Sequence, residues 1–520
     1  MKRQLIACTF LFASWYLGAQ QIAKGIIYED RNHNGKFDKK EKRLPNVLVS
    51  NGVDITQSNE KGEYEIAVSE ESIVFVIKPS QYQLSVLKDQ LPQSYYIHKP
   101  NGSPVLKYGG SKPTGPLPKT INFGLVPTLE ENEFSALVFG DPQAYTLEEV
   151  DYFSRGIVHE LKGIKNIQFG ISLGDLVGDD LVLHQPYIKA VKEIGIPWYN
   201  VMGNHDMDYD AKDDRYADDT FEQNFGPANY SFNVGNAHFI VLDNILYPDP
   251  RDGKGYWGGF REDQLKFIEN DLKYVSKDQL IVLAFHIPLQ HENENSFKDD
   301  SRQRLFNLLK DFPHTVSMSA HTHLQQQLYY GKKDGWLQDK PHHEYNVGTT
   351  SGDWYSGQKD QNGVPLSTMR DGTPKGYAIL NVKGNQYSFD YKVANHPKEY
   401  QMNIYHTKRI QKDSKSKAML MVNFFMGRKG DNVEYQIDGE EWKKMNYSPA
   451  VDYNYLKTIM DFDHDALKFE GKRPSDAVPS NHIWSVRLPS KKIGKRLIKI
   501  RATDQYGKIH YGNAEYEVVN

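Results

Sequence analysis

Short apolar runs that end in glycine and then in a metal-competent side chain mark the middle of this chain. The run 167–173 ends in Gly-Asp, and the run 196–202 ends in Gly-Asn-His-Asp. Such short runs, bounded by glycine, are typical of strands buried on both faces of a sheet. Residues 181–194 between them have roughly helical spacing, so we predict a strand–helix–strand unit with its functional groups just past the strand ends. The side chains expected to converge there are Asp175, Asn204, His205 and Asp206.

The same pattern recurs along the chain. Apolar runs at 134–139, 239–242, 280–285 and 315–320 each lead into an Asp or a His, with helical patterns at 261–274 and 302–310. A single His after an apolar run is usually a packed or surface residue, but this many polar residues at separate strand ends are not explained by packing. Asp, Asn and His together suit zinc, manganese or iron. In chain order the candidates are Asp141, Asp175, Asn204, His205, Asp206, His286, His321 and His323.

Taken together, these motifs resemble the signature of calcineurin-like metallophosphoesterases. The matching segments are GDPQ at 140–143, GDLVGDD at 174–180, GNHD at 203–206, FH at 285–286 and AHTH at 320–323, and the likeness extends over about residues 133–390. Two positions depart from the usual pattern: Gln143 stands where the family has His, and Ala320 stands where it has Gly. The layout, with β modules on both sides, resembles an exported bacterial subfamily.

The resemblance implies a four-layer αββα core of the α/β class that binds two divalent ions, which would be Mn, Zn or Fe. Its implied metal ligands are Asp141, Gln143, Asp175, Asn204, His286, His321 and His323. Asp141 and His323 would bind the first ion with Gln143 as a weak ligand, Asp175 would bridge, and the remaining three would bind the second ion. His205 would act on the substrate as an acid or transition-state stabiliser. Asp206 would orient its imidazole, and Asp179 would support the site from outside the ligand set.

Two functions remain open at this stage. The first is a secreted metal-dependent phosphoesterase that hydrolyses a small phosphomonoester or phosphodiester, with the leaving group undefined. The alternative is a cell-surface or glycan-binding module whose core is inactive because Gln143 spoils the first metal site. The retained Asp and His residues favour the enzyme. The formal charge of −4 gives no indication of a nucleic-acid polymer or an anionic membrane as partner.

The first 19 residues have the features of a signal peptide: a basic start at Lys2-Arg3, an apolar core at 5–17 and small residues at Gly18-Ala19. We therefore expect a secreted or periplasmic protein without a transmembrane segment. Cys8 is the only cysteine, and because only seven residues precede it we favour signal cleavage over lipid attachment. The mature chain would then contain no disulfide.

A calcium-loop pattern lies in the first β-rich stretch. Its oxygen ligands would come from Asp30, Asn32, Asn34, Lys36 (through its carbonyl), Asp38 and Glu41, and Gly35 would permit the sharp turn. The flanking residues are strand-like, so the loop is not part of a helical hand. It resembles the calcium-binding turn of B-type repeats in bacterial surface proteins.

With a length of 520 residues, about three domains are expected. We predict an N-terminal β domain at 20–128, a catalytic domain at 129–398 and an Ig-like β domain at 399–520, both flanking domains being β-sandwich-like. The last domain could bind a glycan or pack against the enzyme. Trp354 and Tyr355 are expected at the pocket rim, and the acidic residues at 461–465 are expected in a solvated loop.

Overall fold

The computed structural model describes residues 21–86, 89–290, 296–415, 417–465, 467 and 470–520. The predicted signal peptide at 1–19, including Cys8, lies outside these ranges. Within them, no helical segment has both the length and the hydrophobicity that a bilayer-spanning helix requires.

Two central sheets stack face to face and carry the candidate site. The five-stranded sheet has the order Trp198–Val201, Phe169–Leu173, Glu133–Phe139, Gly376–Lys383, Gln386–Val393, and its first three strands are parallel. The six-stranded sheet has the order Tyr230–Val234, Ala237–Val241, Leu280–Ala284, Thr315–Ser319, His342–Asn346, Gln326–Tyr330, with its four inner strands parallel. The rings of Phe169 and Phe239 meet edge to face across the interface, 5.3 Å apart.

Helices cover the outer faces of both sheets. Leu147–Gly156 and His184–Lys192 pack on the five-stranded sheet, where Phe153 lies 6.0 Å from Phe139. Glu262–Asp271 and Asp299–Leu309 cover the six-stranded sheet, and Phe306 of the latter packs 5.6 Å from Tyr330. The predicted four-layer αββα core is therefore confirmed. Shorter helical segments are Asp219–Phe225, Val158–Leu161, Leu181–Leu183, Asn204–Asp206, Asp214–Tyr216, Leu272–Tyr274 and Lys332–Asp334.

The region before the core is strand-rich and forms two four-stranded sheets. One has the order Glu63–Val68, Gln21–Glu29, Phe123–Pro127, Tyr82–Leu84, and the other has the order Ile55–Gln57, Leu48–Ser50, Ser72–Ile77, Tyr95–His98. Alternate residues of Glu63–Val68 are buried, as expected for a sheet with one solvated face. Buried Ile27, Val49, Val74 and Leu125 belong to one apolar core that joins the two sheets.

The region after the core also forms two sheets. The first has the strand order Met402–His406, Met419–Phe424, Ile483–Arg487, Asn446–Tyr447. The second has the strand order Arg409–Gln411, Ile509–Val519, Gly494–Thr503, Asn432–Ile437, Lys443–Lys444. Their apolar residues share one cluster with the facing sides of the central sheets, so this region packs directly on the core. Two short strand pairs, Ile245–Leu246 with Trp257–Gly258 and Ala450–Val451 with Pro479–Ser480, complete the strands.

The acidic stretch that we expected to be a loop is mostly a helix, Tyr453–His464. The side chain of Asp452 caps it by accepting a hydrogen bond from the Tyr455 amide at 2.9 Å. Tyr455, Ile459 and Phe462 lie at helical spacing and are buried. The helix forms because of this apolar stripe, and Asp461 and Asp463 pair with Lys457 and Arg473 on its outer side.

Candidate metal centre

The predicted ligands follow the carboxyl ends of parallel strands in both sheets, and the sheets bring them together. Their turns have an unusual backbone: φ is positive at Asp141, Gln143, Asp175, His321 and His323, with values from 29° to 70°. Non-glycine residues rarely adopt such values, and they cluster where function requires them. The strand ends therefore hold these side chains in conformations that each cost about 1–3 kcal/mol.

Two glycines in the motifs leave space for these turns. A Cβ atom on Gly203 would lie 1.9 Å from the backbone nitrogen of Asp175, and one on Gly174 would lie 2.6 Å from Nδ1 of His286. Gly174 also has a φ of +91°. Any side chain at either position would push apart the strand ends that carry the ligands.

Asn204, His286 and His321, which we call the second ligand group, meet beside Asp175. Nε2 of His286 lies 3.2 Å from Oδ2 of Asp175, 3.1 Å from Oδ1 of Asn204 and 3.2 Å from Nδ1 of His321. His286 Nδ1 donates to the Leu173 carbonyl at 2.8 Å, which directs Nε2 into the cluster. Asp175, His286 and His321 present ligand atoms within 4.8 Å of one another, as a divalent ion requires.

The electrostatics of this group fit a cation. Burial alone would lower the pKa of His286, but the facing carboxylate of Asp175 raises it to about 9. Burial would raise the pKa of Asp175, yet His286 and the neighbouring imidazoles hold it well below its usual range. The pair therefore stabilises positive charge at the point where a metal would be held.

Asp141, Gln143 and His323, which we call the first ligand group, leave buried atoms unsatisfied. Oδ2 of Asp141 and Nε2 of His323 lie 3.0 Å apart, but among the described residues neither has a hydrogen-bond partner, and neither does Oε1 of Gln143. His323 Nδ1 donates a hydrogen bond to the Gly352 carbonyl at 2.7 Å, so Nε2 is the nitrogen that could bind a metal ion. Three unpartnered buried atoms are costly unless a cation or another ligand satisfies them, and these residues therefore fit a metal ion.

His205 stands at the edge of the ligand cluster with its side chain 24% exposed. Its Nδ1 lies 2.7 Å from Oδ1 of Asp179, and its backbone amide donates to Asp175 Oδ1 at 2.8 Å. Burial lowers the pKa of His205, but Asp175 and Asp179 together raise it above its ordinary value. The ring is thus anchored through one nitrogen, and the other can serve a substrate.

Asp206 does not contact the imidazole that we expected it to orient. Its buried carboxylate accepts hydrogen bonds from the amides of Leu176 at 3.0 Å and Gly203 at 2.9 Å, and it lies 3.1 Å from Nε2 of His184. Asp206 therefore holds two motif turns together, and the residue that contacts the His205 ring is Asp179. His184 is a partner that sequence reasoning missed.

Aromatic residues surround the cluster. Trp354 stacks on His323 at 4.0 Å, whereas Tyr355 is buried with its hydroxyl donating to the Pro142 carbonyl. Of these two predicted rim residues, Trp354 is therefore the one that stacks on a ligand. Tyr145 and Tyr256, which we did not predict, lie edge-on to His205 and His321 at 6.0 and 6.2 Å. Burial, reinforced by Asp175 and Asp179, raises the pKa of Tyr256 to about 12. Tyr145 could have been predicted near the site, because it follows Gln143 by only two residues in the sequence.

The predicted calcium loop is compact. Oδ1 and Oδ2 of Asp30 accept the amides of Asn34 and Gly35 at 3.1 and 2.9 Å, and Asp38 Oδ2 accepts the side-chain amides of Asn32 and Asn34 at 2.8 and 3.0 Å. Within the described chain, Oε1 of Glu41 is buried and has no hydrogen-bond partner. The loop thus gathers oxygen atoms and leaves one of them unsatisfied.

Comparison with known proteins gives family matches along the chain. Three family models match: N terminal of calcineurin-like phosphoesterase at residues 31–107, calcineurin-like phosphoesterase at 134–325, and C terminal of calcineurin-like phosphoesterase at 344–510. No curated protein sequence matches the chain.

Similar solved structures include GAP50, the anchor in the inner membrane complex of Plasmodium, at 17% identity, a TM-score of 0.32 and coverage of 50% of this chain and 84% of that one. Purple acid phosphatase PPD1 from yellow lupin (Lupinus luteus) seeds is similar at 13% identity, a TM-score of 0.35 and coverage of 67% of both chains. The three family models together span most of the chain in the expected order. The chain therefore belongs to the calcineurin-like phosphoesterases that carry dedicated N- and C-terminal regions, a family of phosphate-ester hydrolases.

Proposed function

We propose that this protein is a metal-dependent phosphoesterase that hydrolyses a small phosphomonoester or phosphodiester at two divalent ions. The observation that carries the proposal is the convergence of all seven predicted ligand side chains at strand ends of both central sheets. In the described structure, buried atoms of the first ligand group have no hydrogen-bond partner. Asp175 lies between the two groups and is assigned as the bridging ligand. Two ions held there would neutralise phosphoryl oxygens and lower the pKa of a coordinated water.

The chain's own contribution to the reaction is proton transfer and positioning. His205 is assigned as the general acid, because its Nδ1 is engaged by Asp179 and its Nε2 can therefore protonate the departing oxygen. Such a contribution is typically about 10²–10⁴-fold. Asp175 fixes the His205 backbone at 2.8 Å, so the acid is held in register with the ligand cluster.

A substrate panel tests this function. Purified protein, stripped of metal and reloaded with manganese, zinc or iron, should hydrolyse at least one class among aryl, sugar and nucleoside phosphate esters. The Asp175→Ala variant, taken through the same purification and reloading, is the matched control for contaminating phosphatases. A protein that binds two ions but hydrolyses none of these esters would instead support the alternative of a glycan-binding module with an inactive core.

We also propose that the loop at residues 30–41 binds calcium. Its carboxylates and amides match what calcium prefers, and the buried, unpartnered Glu41 oxygen supports this assignment. Calcium should raise the melting temperature of wild-type protein, and Asp30→Ala should remove that increase while leaving phosphoesterase activity in place. Equal melting curves with calcium and with chelator would contradict the assignment.

The remaining proposals concern location and domain organisation. We propose that residues 1–19 are removed on export to the periplasm or medium, and that the mature chain comprises units at 20–128, 129–398 and 399–520. The mass of the protein recovered outside the cytoplasm would test the cleavage point. We keep a surface glycan as the partner proposed for the last unit, which binding to a glycan array would test.

A further inference from the structure

A loop from the N-terminal region reaches the part of the core that carries His205. The hydroxyl of Tyr108 donates to the backbone carbonyl of Asp179 at 2.9 Å, and the amide of Lys107 donates to Asp210 Oδ2 at 2.8 Å. The amide of Gly110 donates to Thr220 Oγ1 at 3.2 Å. These contacts fall on both sides of the GNHD motif in the sequence.

A buried ion pair fixes the start of this loop. The ammonium group of Lys99, with only 3% of its side chain exposed, pairs with Asp219 and lies 3.0 Å from Oε2 of Glu222. Buried charges of this kind hold their partners in place, because separating them leaves a charge without compensation. The loop at residues 99–111 is therefore anchored on the core and not simply laid over it.

Asp179 is held from two directions. Tyr108 contacts its carbonyl, while its own amide donates to the His205 carbonyl at 3.2 Å and its carboxylate engages the His205 ring at 2.7 Å. Its φ of +67° lies in the left-handed region, which costs free energy even for an aspartate, and these contacts help to hold it there. Nζ of Lys107 in turn lies 2.7 Å from the Tyr108 hydroxyl and orients it.

We propose that Tyr108 is a positioning residue that holds Asp179, and through it His205, in the geometry for protonating the leaving group. This inference rests on the proposed function. It makes the N-terminal region part of the catalytic apparatus and not a spacer. Without the Tyr108 hydroxyl, Asp179 can relax from its left-handed conformation, and its carboxylate then leaves the His205 ring.

The test is Tyr108→Phe, which removes one hydroxyl. Its matched control is Ser80→Ala, because Ser80 also donates from the N-terminal region to a core carbonyl, that of Gly235 at 2.7 Å. With an alkyl phosphate, kcat of Tyr108→Phe should fall about tenfold while KM and metal content stay unchanged, and Ser80→Ala should behave as wild type. With a 4-nitrophenyl ester, whose leaving group needs no proton, the loss should be less than about twofold.

Two further measurements separate positioning from general damage. In a His205→Ala background, Tyr108→Phe should cause no additional loss, because both changes remove the same contribution. Hydrogen exchange of the amides at 178–183 should speed up in Tyr108→Phe and not in Ser80→Ala, and this readout does not depend on activity. An additive loss in the double variant, or unchanged exchange, would overturn the inference. Failure of wild-type protein to hydrolyse any ester would overturn the proposed function, while the exchange measurement would still judge the contact.

Discussion

The two ligand groups of the candidate centre differ in how far their side chains satisfy one another. In the second group, Nε2 of His286 lies within 3.2 Å of three other candidate ligand atoms. In the first group, Oδ2 of Asp141 and Nε2 of His323 also approach to 3.0 Å. These two atoms and Oε1 of Gln143 are nevertheless buried without a hydrogen-bond partner in the described structure. One group is thus preformed, whereas the other needs an added ligand to be complete.

The difference extends to the donor atoms. An imidazole is a good ligand for zinc or iron, but the amide of Gln143 offers only a carbonyl oxygen, a weaker and harder donor. Gln143 also donates through Nε2 to Asp175 Oδ2 at 3.3 Å, which ties its amide to the proposed bridging carboxylate. The first ion should therefore bind more weakly than the second.

The largest effect is expected from Asp175→Ala, which removes the side chain between the two groups. Activity should disappear, and more than one ion per chain should be lost, because both ions would depend on this carboxylate. Metal analysis by mass spectrometry and a substrate assay check the prediction. Retention of two ions in the variant would remove Asp175 from the bridging role and with it the link between the groups.

The next largest effect separates catalysis from metal binding. With an alkyl phosphate, whose leaving group needs a proton, His205→Ala should reduce turnover at least about a hundredfold. Both ions should remain bound, because the ring stands outside both ligand groups. Metal content measured beside kcat decides this. Loss of one ion from the variant would show that His205 is itself a metal ligand, and His205 would then have to be added to one of the two ligand groups.

The sequence could predict the strands and ligands where the chemistry is local. Phe169–Leu173 is apolar apart from Ser172 and is buried on both faces, so the sequence could predict both the strand and the Asp175 that follows it. His342–Asn346 is equally buried but polar. Its His342 is satisfied by hydroxyls of Thr315 and Ser317 at 2.8 and 2.6 Å, which belong to a neighbouring strand. No local pattern could reveal a strand whose burial depends on such distant partners.

The misplaced role of Asp206 has a geometric reason. Asn204–Asp206 forms a single turn of 3₁₀ helix, in which successive side chains point about 120° apart. Adjacent residues therefore cannot face one another, and the partner of His205 comes from Asp179, 26 positions earlier. The helix Tyr453–His464 is a different case. Its apolar residues have helical spacing in the sequence, so the helix was predictable, and the acidic residues at 461–465 alone had indicated a loop.

A smaller effect is expected from a change in the first ligand group, and it tests directly whether this group binds its ion more weakly than the second. Gln143→His should strengthen the first ligand group, so the variant should reach full activity at several-fold lower added manganese than wild type. Wild-type protein should retain unequal amounts of metal after purification for the same reason. Titration of metal-stripped protein, followed by activity and by bound metal, measures both. Identical titrations for the two proteins, or two ions kept by wild type after chelator dialysis, would contradict the weaker first site.

The prediction with the smallest expected effect on activity concerns stability, and it is about Glu344, which lies behind the second ligand group. Glu344 accepts hydrogen bonds from Ser319 at 2.5 Å and from the Leu289 amide at 3.3 Å, and so links the segments that carry His321 and His286. Burial raises the pKa of Glu344 to about 7 from an ordinary value of 4.5.

A buried acid with a raised pKa contributes to stability below its unfolded pKa, and that contribution is lost as the pH rises through the folded one. From this group alone, the free energy of unfolding should therefore fall between about pH 4.5 and 7, by up to about 3 kcal/mol. Glu344→Gln has no titrating group at this position, so the excess stability of wild type over the variant should be larger at pH 5 than at pH 8. Denaturant unfolding of both proteins at the two pH values, in one metal-saturated buffer, measures the change. If the difference in unfolding free energy between wild type and variant is the same at both pH values, Glu344 does not titrate with a raised pKa in the folded protein. The stability around the second ligand group would then not depend on pH through this residue.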